Sequence, residues 1–586
     1  MAIVNLTIDG QKVEARSDMT ILEAAQQAGI HIPTLCHHSA LAPAGSCRVC
    51  LVEVSRHQPL YPSCTYRVSE GLTVETRSER VMKARRFVLD MIFSERNHYC
   101  MFCEMSGNCE LQDLGYEYGL DHWVYPTYQE RFPVDATRDT FLMDHNRCVL
   151  CRRCVRACAE LVANHTLGMR QRGARTMITA DLNVPFGDSS CISCGTCLQV
   201  CPTGALIDKA SAFMDVGRHA EVERVLSVCT GCSVGCGIEI VTRGGNVVRI
   251  DGDWDAAPNR GLLCEKGRFR PLADGRRRIT RPLARRSGAS IPSVGPEPAG
   301  WDTALELAAR GLAAAGGKAG LLASTTASNE ALELAENLFC GQLGAAQAGI
   351  LNAAASRLPV AHGTLADIAA ADLILLVGAE PAAEQPVVSF LVKRRIDQCA
   401  RLLLVDGGEG MAVLAHRTFD LDQIDEAVEV AGRAESPVVL YGPALPQRVA
   451  EALVKMDGTG LKTSFITLEP GANTRGAVAR GFTPDIEMDG LEALYVLLGD
   501  EAWNPDWPLP GDGTFLVVQA SYASLLTERA DVILPSTNWA ERSGTFTNLE
   551  GRDREARAAV QPAGEARMDW EIVSLLADKV TGGKHG

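Results

Sequence analysis

No stretch of this chain approaches the roughly 18 consecutive apolar residues that a membrane-spanning helix requires, so no membrane span of its own is expected. The first residues, "MAIVNLTIDGQKVEA", alternate apolar and polar positions like a strand. They lack the basic start and apolar stretch of a secretory signal, and they carry no twin-arginine motif. The expected location is the cytoplasm, with any membrane association peripheral and made through partners. Excess positive charge is missing too, because the net charge is −15. Binding a phosphate backbone demands a basic surface, so nucleic acid is not expected as a partner. Cysteine nearly vanishes beyond residue 264, where only Cys340 and Cys399 remain.

What is present is concentrated. The chain has 586 residues, too many for one hydrophobic core, so several domains are expected. Of its 21 cysteines, 19 precede residue 265. In a reducing compartment such a concentration points to metal rather than to disulfides.

The cysteines fall into sets by spacing. Cys36, Cys47, Cys50 and Cys64 are separated by ten, two and thirteen residues. Two strand-like stretches, "IVNLTI" and "QKVEA", and a helical one, "TILEAAQQAGI", come before them. That order is the order of a β-grasp 2Fe–2S ferredoxin, with a cysteine loop longer than the plant-type spacing. Small residues Ala44, Gly45 and Ser46 let backbone amides approach the sulfurs. A structural zinc site is the plainer alternative for this set.

Cys100, Cys103 and Cys109 form a set of three, which leaves a four-cornered cluster one ligand short. His98, two residues before Cys100, is the leading candidate, and His37, His38 and His145 are further possible donors. Cys148, Cys151, Cys154 and Cys158 have gaps of two, two and three, and Cys191, Cys194, Cys197 and Cys201 repeat them. This is the pattern of a bacterial two-cluster ferredoxin, in which the last cysteine of each run serves the other cluster. Cys148, Cys151, Cys154 and Cys201 are thus expected to hold one 4Fe–4S cube, and Cys158, Cys191, Cys194 and Cys197 the other. Cys229, Cys232, Cys236 and Cys264 close the series, with a strand hairpin, "IEIVTRGGNVVRIDGD", between them and Gly244 and Gly245 at its turn. A zinc ribbon is the alternative here. The sets use all 19 cysteines of the front half.

Taken in this order, the motifs resemble the large iron–sulfur subunit of NADH dehydrogenases, the G-type subunit of bacterial complex I. They are also similar to the corresponding subunits of NAD-linked hydrogenases and formate dehydrogenases. "SGNCELQ" resembles the close of the family's histidine-and-three-cysteine motif, and "ADVILPSTNWAERSGTFTNLEGR" (530–552) a segment common near the end of molybdopterin-type domains. In complex I the histidine usually stands four positions before the first cysteine, where this chain has Arg96; "NHxC" is similar instead to the diaphorase subunit of bidirectional hydrogenases.

The resemblance implies a multidomain α+β fold. A β-grasp 2Fe–2S domain (1–78) would be followed by a helical segment with a one-histidine, three-cysteine 4Fe–4S site (79–120). A two-cluster ferredoxin domain (138–215), a small β 4Fe–4S domain (222–278) and a truncated molybdopterin-oxidoreductase-like α/β domain (279–586) would complete it. The implied cofactors are one 2Fe–2S and four 4Fe–4S clusters, with FMN and NAD(P) on a flavoprotein partner. A small thioredoxin-like 2Fe–2S subunit and a hydrogenase, formate dehydrogenase or quinone-reducing module are further implied partners. Plant-type 2Fe–2S centres lie near roughly −400 mV, within reach of nicotinamide couples.

The back half reads as helices alternating with buried strands of one parallel sheet: "AGLLAS", "ADLILLVG" (371–378), "RLLLVD" (401–406), "PVVLYG" (437–442) and "TFLVVQ" (514–519). Cys340 and Cys399 are both expected to be buried core residues rather than metal ligands, and bound molybdopterin is not expected. Lys266 matches a lysine that links cluster and pterin in active relatives, and is read as inherited. "GGEGMAVLAH" (407–416) lacks the third glycine of a dinucleotide fingerprint. The chain is therefore expected to relay single electrons and not to be catalytic alone; a catalytic molybdenum or tungsten formate dehydrogenase subunit is the alternative.

Overall fold

The structure is a computed structural model. It describes residues 2–582 apart from 56–58, 127–130, 215, 217–220, 286–294, 346, 352–361, 459–461, 485, 506, 508–510 and 512. Two compact units divide the chain, Met1–Val222 and Glu223–Gly586. Among the described residues no helix is long and apolar enough to cross a membrane.

The first unit opens with a hairpin, Ile3–Ile8 against Gln11–Arg16, within a five-stranded sheet. In space the strands run Gln11–Arg16, Ile3–Ile8, Thr73–Glu75, Leu51–Val54 and Leu60–Pro62. Helix α1 (Ile21–Gln27) lies across it, started by a reciprocal cap between Thr20 and Glu23 that satisfies two otherwise orphaned amides. Ile21, Leu22, Ala24 and Ala25 face the sheet and are buried with Leu6, Ile8, Val52 and Val74. Two helices follow, α2 (Glu79–Glu95) and α3 (Glu110–Glu117). Arg85 of α2 is buried and donates to the Leu51 carbonyl at 2.6 Å and to the Tyr118 hydroxyl at 3.1 Å, which ties α2 to both the sheet and the end of α3. Further along, two short helices, α4 (Arg153–Arg156) and α5 (Thr196–Gln199), each begin beside a pair of cysteines.

The second unit begins with a three-stranded antiparallel sheet, Glu223–Val228, Gly237–Arg243 and Asn246–Gly252. Gly244 (φ +57°) and Gly245 (φ +77°) make the turn between the last two. That doubly left-handed turn matches the strand twist and favours glycine at both places. A short helix, α6 (Glu265–Arg268), is clamped to the sheet by buried Arg268, which reaches Asp251 at 2.8 Å.

Beyond α6 the expectation of one parallel sheet is corrected: among the described residues there are two. A seven-stranded sheet runs Glu297–Pro298, Leu283–Ala284, Val532–Pro535, Phe515–Ala520, Ala493–Gly499, Ala319–Ala323 and Ala348–Ile350, and its last five strands are parallel. A separate all-parallel sheet holds Arg417–Phe419, Arg401–Gly407, Leu373–Ala379, Pro437–Tyr441 and Ser464–Thr467. Every predicted strand lies in one or the other. A run of buried apolar residues marks a central strand without stating its neighbour. In the seven-stranded sheet Leu321, Tyr495, Val517 and Val532 pack under α7 (Trp301–Ala315) and α8 (Asn329–Glu336), while Leu322, Val496, Val518 and Ile533 alternate to the other face.

Candidate metal centres

In the first set the four thiols stand in two pairs: Cys36 beside Cys47, and Cys50 beside Cys64. Cys36, Cys50 and Cys64 are buried, and Cys47 half-buried. The Cys47 thiol beside Cys36 draws its pKa down, and Cys64 does the same to Cys50. Gly45 (φ +61°) and Arg48 (φ +60°) turn the chain tightly on either side of Cys47. The loop is anchored to the helix that carries two later cysteines: Arg156 of α4 donates to the carbonyls of Cys36 and Ala42, and Glu160 accepts from the Ala42 amide at 2.9 Å.

The second set surrounds a small cavity lined by Cys100, Cys103, Cys109 and His98. Of the four candidate histidines, His98 is the one on this lining. Its ring packs edge-on against Phe93, and its Nε2 is buried without a hydrogen-bond partner. Burial holds the imidazole pKa down to about 4, so at neutral pH the ring is uncharged and a nitrogen lone pair is free. The loop is braced from inside by Gln112, which accepts from the Gly107 amide at 2.7 Å and donates to Ser106. Arg96, at the position the complex I pattern would give to histidine, instead donates to the carbonyls of His145 and Thr176 and stacks on Phe132.

Thr203 and Gly204 also line this cavity. A Cβ built on Gly204 would stand 2.9 Å from the Cys103 sulfur and 3.1 Å from Met105, so glycine there keeps the space open. Thr203 also lines the next cavity, with Cys148, Cys151, Cys154 and Cys201. A third is lined by Cys158, Cys191, Cys194 and Cys197. The crossing arises because α4 carries Cys154 towards one cavity, then widens to a π-helical turn at Ala157–Leu161 that carries Cys158 towards the other. The two cysteine loops share one backbone. Leu150 and Arg152 have φ of +53° and +60°, and their counterparts Ser193 and Gly195 have +51° and +70°.

In the second unit, Cys229, Cys232, Cys236 and Cys264 interact electrostatically with one another. The Cys229 amide donates to the Cys236 carbonyl at 2.8 Å. Asn259 fixes the return of the chain by bonding Gly237 twice and Leu262 once. A Cβ on Gly267 would meet the Cys229 sulfur at 3.0 Å.

Burial pushes the thiols up, to about 12 for Cys109, Cys151 and Cys229 and about 11 for Cys148 and Cys158. Ionised sulfurs in these places need positive charge between them. Among the described residues no three His, Cys, Asp or Glu side chains crowd closely enough to share a single ion. Sulfur donors nearly throughout, completed in one set by a buried uncharged imidazole, suit iron, which takes thiolate and imidazole alike. The residues fit clusters.

The chain matches five family descriptions in succession. These are "2Fe-2S iron-sulfur cluster binding domain" at 2–79, "NADH-ubiquinone oxidoreductase-G iron-sulfur binding region" at 85–123, and "NADH-quinone oxidoreductase subunit 3, ferredoxin-like domain" at 139–207. "Molybdopterin oxidoreductase Fe4S4 domain" covers 222–271, and "Molybdopterin oxidoreductase" 278–422 and 450–579. The mitochondrial NADH-ubiquinone oxidoreductase 78 kDa subunit of Candida albicans is 31% identical, over 99% of this chain and 83% of its own. A G-type NADH-quinone oxidoreductase subunit of Rhizobium meliloti is 28% identical, over 98% and 79%. The chain belongs to the family of the NADH-ubiquinone oxidoreductase 78 kDa subunit and its bacterial G-type counterparts. A solved NAD+-reducing [NiFe]-hydrogenase chain is 36% identical over 36% of this chain and 90% of that one, with a TM-score of 0.34.

As a member of this family, the chain is an iron–sulfur electron-transfer subunit of an NADH-linked oxidoreductase. Its molybdopterin-type region holds a large open cavity beside Cys229, lined also by Lys266, Arg276, Thr326, Asp500 and Trp539. Neither late cysteine is on that lining. Cys340 packs, half-buried, on the core of the seven-stranded sheet. Cys399 corrects the expectation of burial. It is exposed, because α9 (Pro386–Asp397) has already ended and the chain turns through a left-handed residue (φ +75°) before the next strand. Thr203, Gly204 and Arg147, all on the His98 cavity, are not singled out by the sequence pattern. "CPTG", which opens on the last ferredoxin cysteine, Cys201, is the signal that points to the first two.

Proposed function

We propose that this subunit carries one 2Fe–2S cluster on Cys36, Cys47, Cys50 and Cys64 and four 4Fe–4S clusters. Their ligands would be His98, Cys100, Cys103 and Cys109; Cys148, Cys151, Cys154 and Cys201; Cys158, Cys191, Cys194 and Cys197; and Cys229, Cys232, Cys236 and Cys264. The observation that carries the reading is the convergence of three ligand quartets, each on the lining of a single cavity. Bound clusters accept and give single electrons with little rearrangement. The chain's own part is to bury the sulfurs, aim backbone amides at them and exclude water. The Leu150 amide, for example, points at Cys148 from 3.4 Å.

In this reading the segments 1–78, 79–120, 138–215, 222–278 and 279–586 are successive domains, the first a β-grasp ferredoxin. A flavoprotein partner with FMN takes hydride from NAD(P)H, beside a small thioredoxin-like 2Fe–2S subunit, and a hydrogenase, formate dehydrogenase or quinone module stands at the far end. The assembly works in the cytoplasm or against the cytoplasmic face of the membrane. No molybdopterin is held, which the placement of Cys340 and Cys399 away from the large cavity supports.

The test is anaerobic reconstitution of the whole chain with elemental analysis and paramagnetic resonance. His98→Ala loses one 4Fe–4S signal or converts it to a 3Fe form, and His98→Cys keeps it with altered potential. An alanine variant indistinguishable from wild type removes His98 from the ligand set. Stoichiometric molybdenum or tungsten, or rapid bleaching by NADH without a flavoprotein, sinks the relay reading as a whole.

A further inference from the structure

Among the described residues that line the His98 cavity, Arg147 alone carries a full charge at neutral pH. Its side chain is 14% exposed and pinned on three sides: by Asp144 at 3.1 Å, by Glu104 at 3.7 Å and by the Phe102 carbonyl at 3.4 Å. Its own carbonyl accepts from the Thr203 hydroxyl at 2.8 Å, so backbone and head group are both fixed. The other nearby cation, Arg96, spends its donors on the carbonyls of His145 and Thr176 and is absent from the lining.

We infer that Arg147 tunes the reduction potential of the cluster held by His98, Cys100, Cys103 and Cys109, holding it above the value that the site, with Asp144 and Glu104 beside it, would have without the guanidinium. The inference rests on the cluster assignment proposed above. One electron added to a cluster deepens its negative charge, and a fixed cation at the wall of a partly dehydrated room stabilises that charge more than water-screened cations can. A guanidinium keeps its charge at every working pH, so the effect is a constant of the site and not a switch. Arg147 is a positioning and tuning residue here, and contributes no bond to the cluster.

The experiment is potentiometry followed by paramagnetic resonance on the whole reconstituted chain. The relevant signal is identified by its loss or conversion in His98→Ala. Arg147→Gln is expected to displace the one-electron equilibrium of that signal about tenfold towards the oxidised form, which is about 59 mV more negative. Arg147→Lys returns most of the shift, because the charge is kept. A midpoint is independent of how much cluster assembles, so a partly loaded variant still reports, and a purely structural role leaves the midpoint unmoved. An Arg147→Gln midpoint equal to wild type overturns the inference. Should that variant assemble no cluster, Arg147→Met, which keeps the aliphatic stem, replaces it: its midpoint falls likewise, and an unchanged midpoint overturns the inference. If His98→Ala alters no signal, it is the cluster assignment that fails instead.

Discussion

Arg153 grips Glu110 through two parallel hydrogen bonds, at 2.7 Å and 2.9 Å, and places a third donor 3.4 Å from the Val200 carbonyl. Glu110 directly follows Cys109, and Arg153 directly precedes Cys154. One ion pair thus joins the backbones of two ligand sets, and the Glu110 amide adds a bond to the Pro202 carbonyl at 2.8 Å. Coupled backbones resist movement, which is what a site that changes charge without rearranging requires.

Removing one partner leaves the other charge stranded. Breaking a buried pair costs roughly 3–5 kcal/mol. The Arg153 side chain is 3% exposed but that of Glu110 is 30% exposed, so Glu110→Gln is expected to cost about 2 kcal/mol after discounting for solvent. Denaturant unfolding measures it, and Glu110→Gln combined with Arg153→Met should recover part of the loss.

Gly204→Ala tests whether the wall of the His98 cavity must be bare. The added methyl would sit 2.9 Å from the Cys103 sulfur, and overpacking of this kind costs about 1–3 kcal/mol. The expected result is loss of one 4Fe–4S signal and its iron, with the two ferredoxin-type signals retained. Unchanged iron content would show that the wall can give way.

The cluster-free chain should lose stability as pH rises. Burial raises Cys148 and Cys158 to about 11 and Cys109, Cys151 and Cys229 to about 12. Between the ordinary thiol value and those figures the unfolded chain holds fewer protons than the folded one, so unfolding becomes easier with each pH step. The stabilising contribution is complete below about pH 8.5 and fades above it. Thermal melts from about pH 7 to 10 in the presence of a reductant read this directly. The loaded protein should show a flatter profile, because its sulfurs are already ionised and bound.

Gly244→Ala and Gly245→Ala isolate backbone strain, since a Cβ at either place meets nothing within 4 Å. Each should destabilise the second unit by about 1 kcal/mol through the left-handed conformation alone. Iron content should not change. A null effect on unfolding would mean that the turn can relax to another type.

The sequence by itself determined much of this protein, because the chemistry was local. Cysteine spacing within a few residues marks each half of a binding loop, and the Gly244–Gly245 pair announces its turn wherever the hairpin sits. Runs such as "ADLILLVG" are strands in any environment that buries both faces. Choices between distant partners were decided only by the tertiary structure. Four histidines were candidates, and folding brings His98 to the room of Cys100, Cys103 and Cys109. Five strand signals suggested one sheet and became parts of two, since an apolar run does not encode its neighbour. Cys399 looked like a core residue, yet a helix that ended two positions earlier put it in water. Gly204 and Arg147 acquire their meaning from contacts across dozens of positions, with Cys103 for the one and Glu104 for the other. Composition and periodicity describe what a segment can bury; only long-range packing sets what it is buried against.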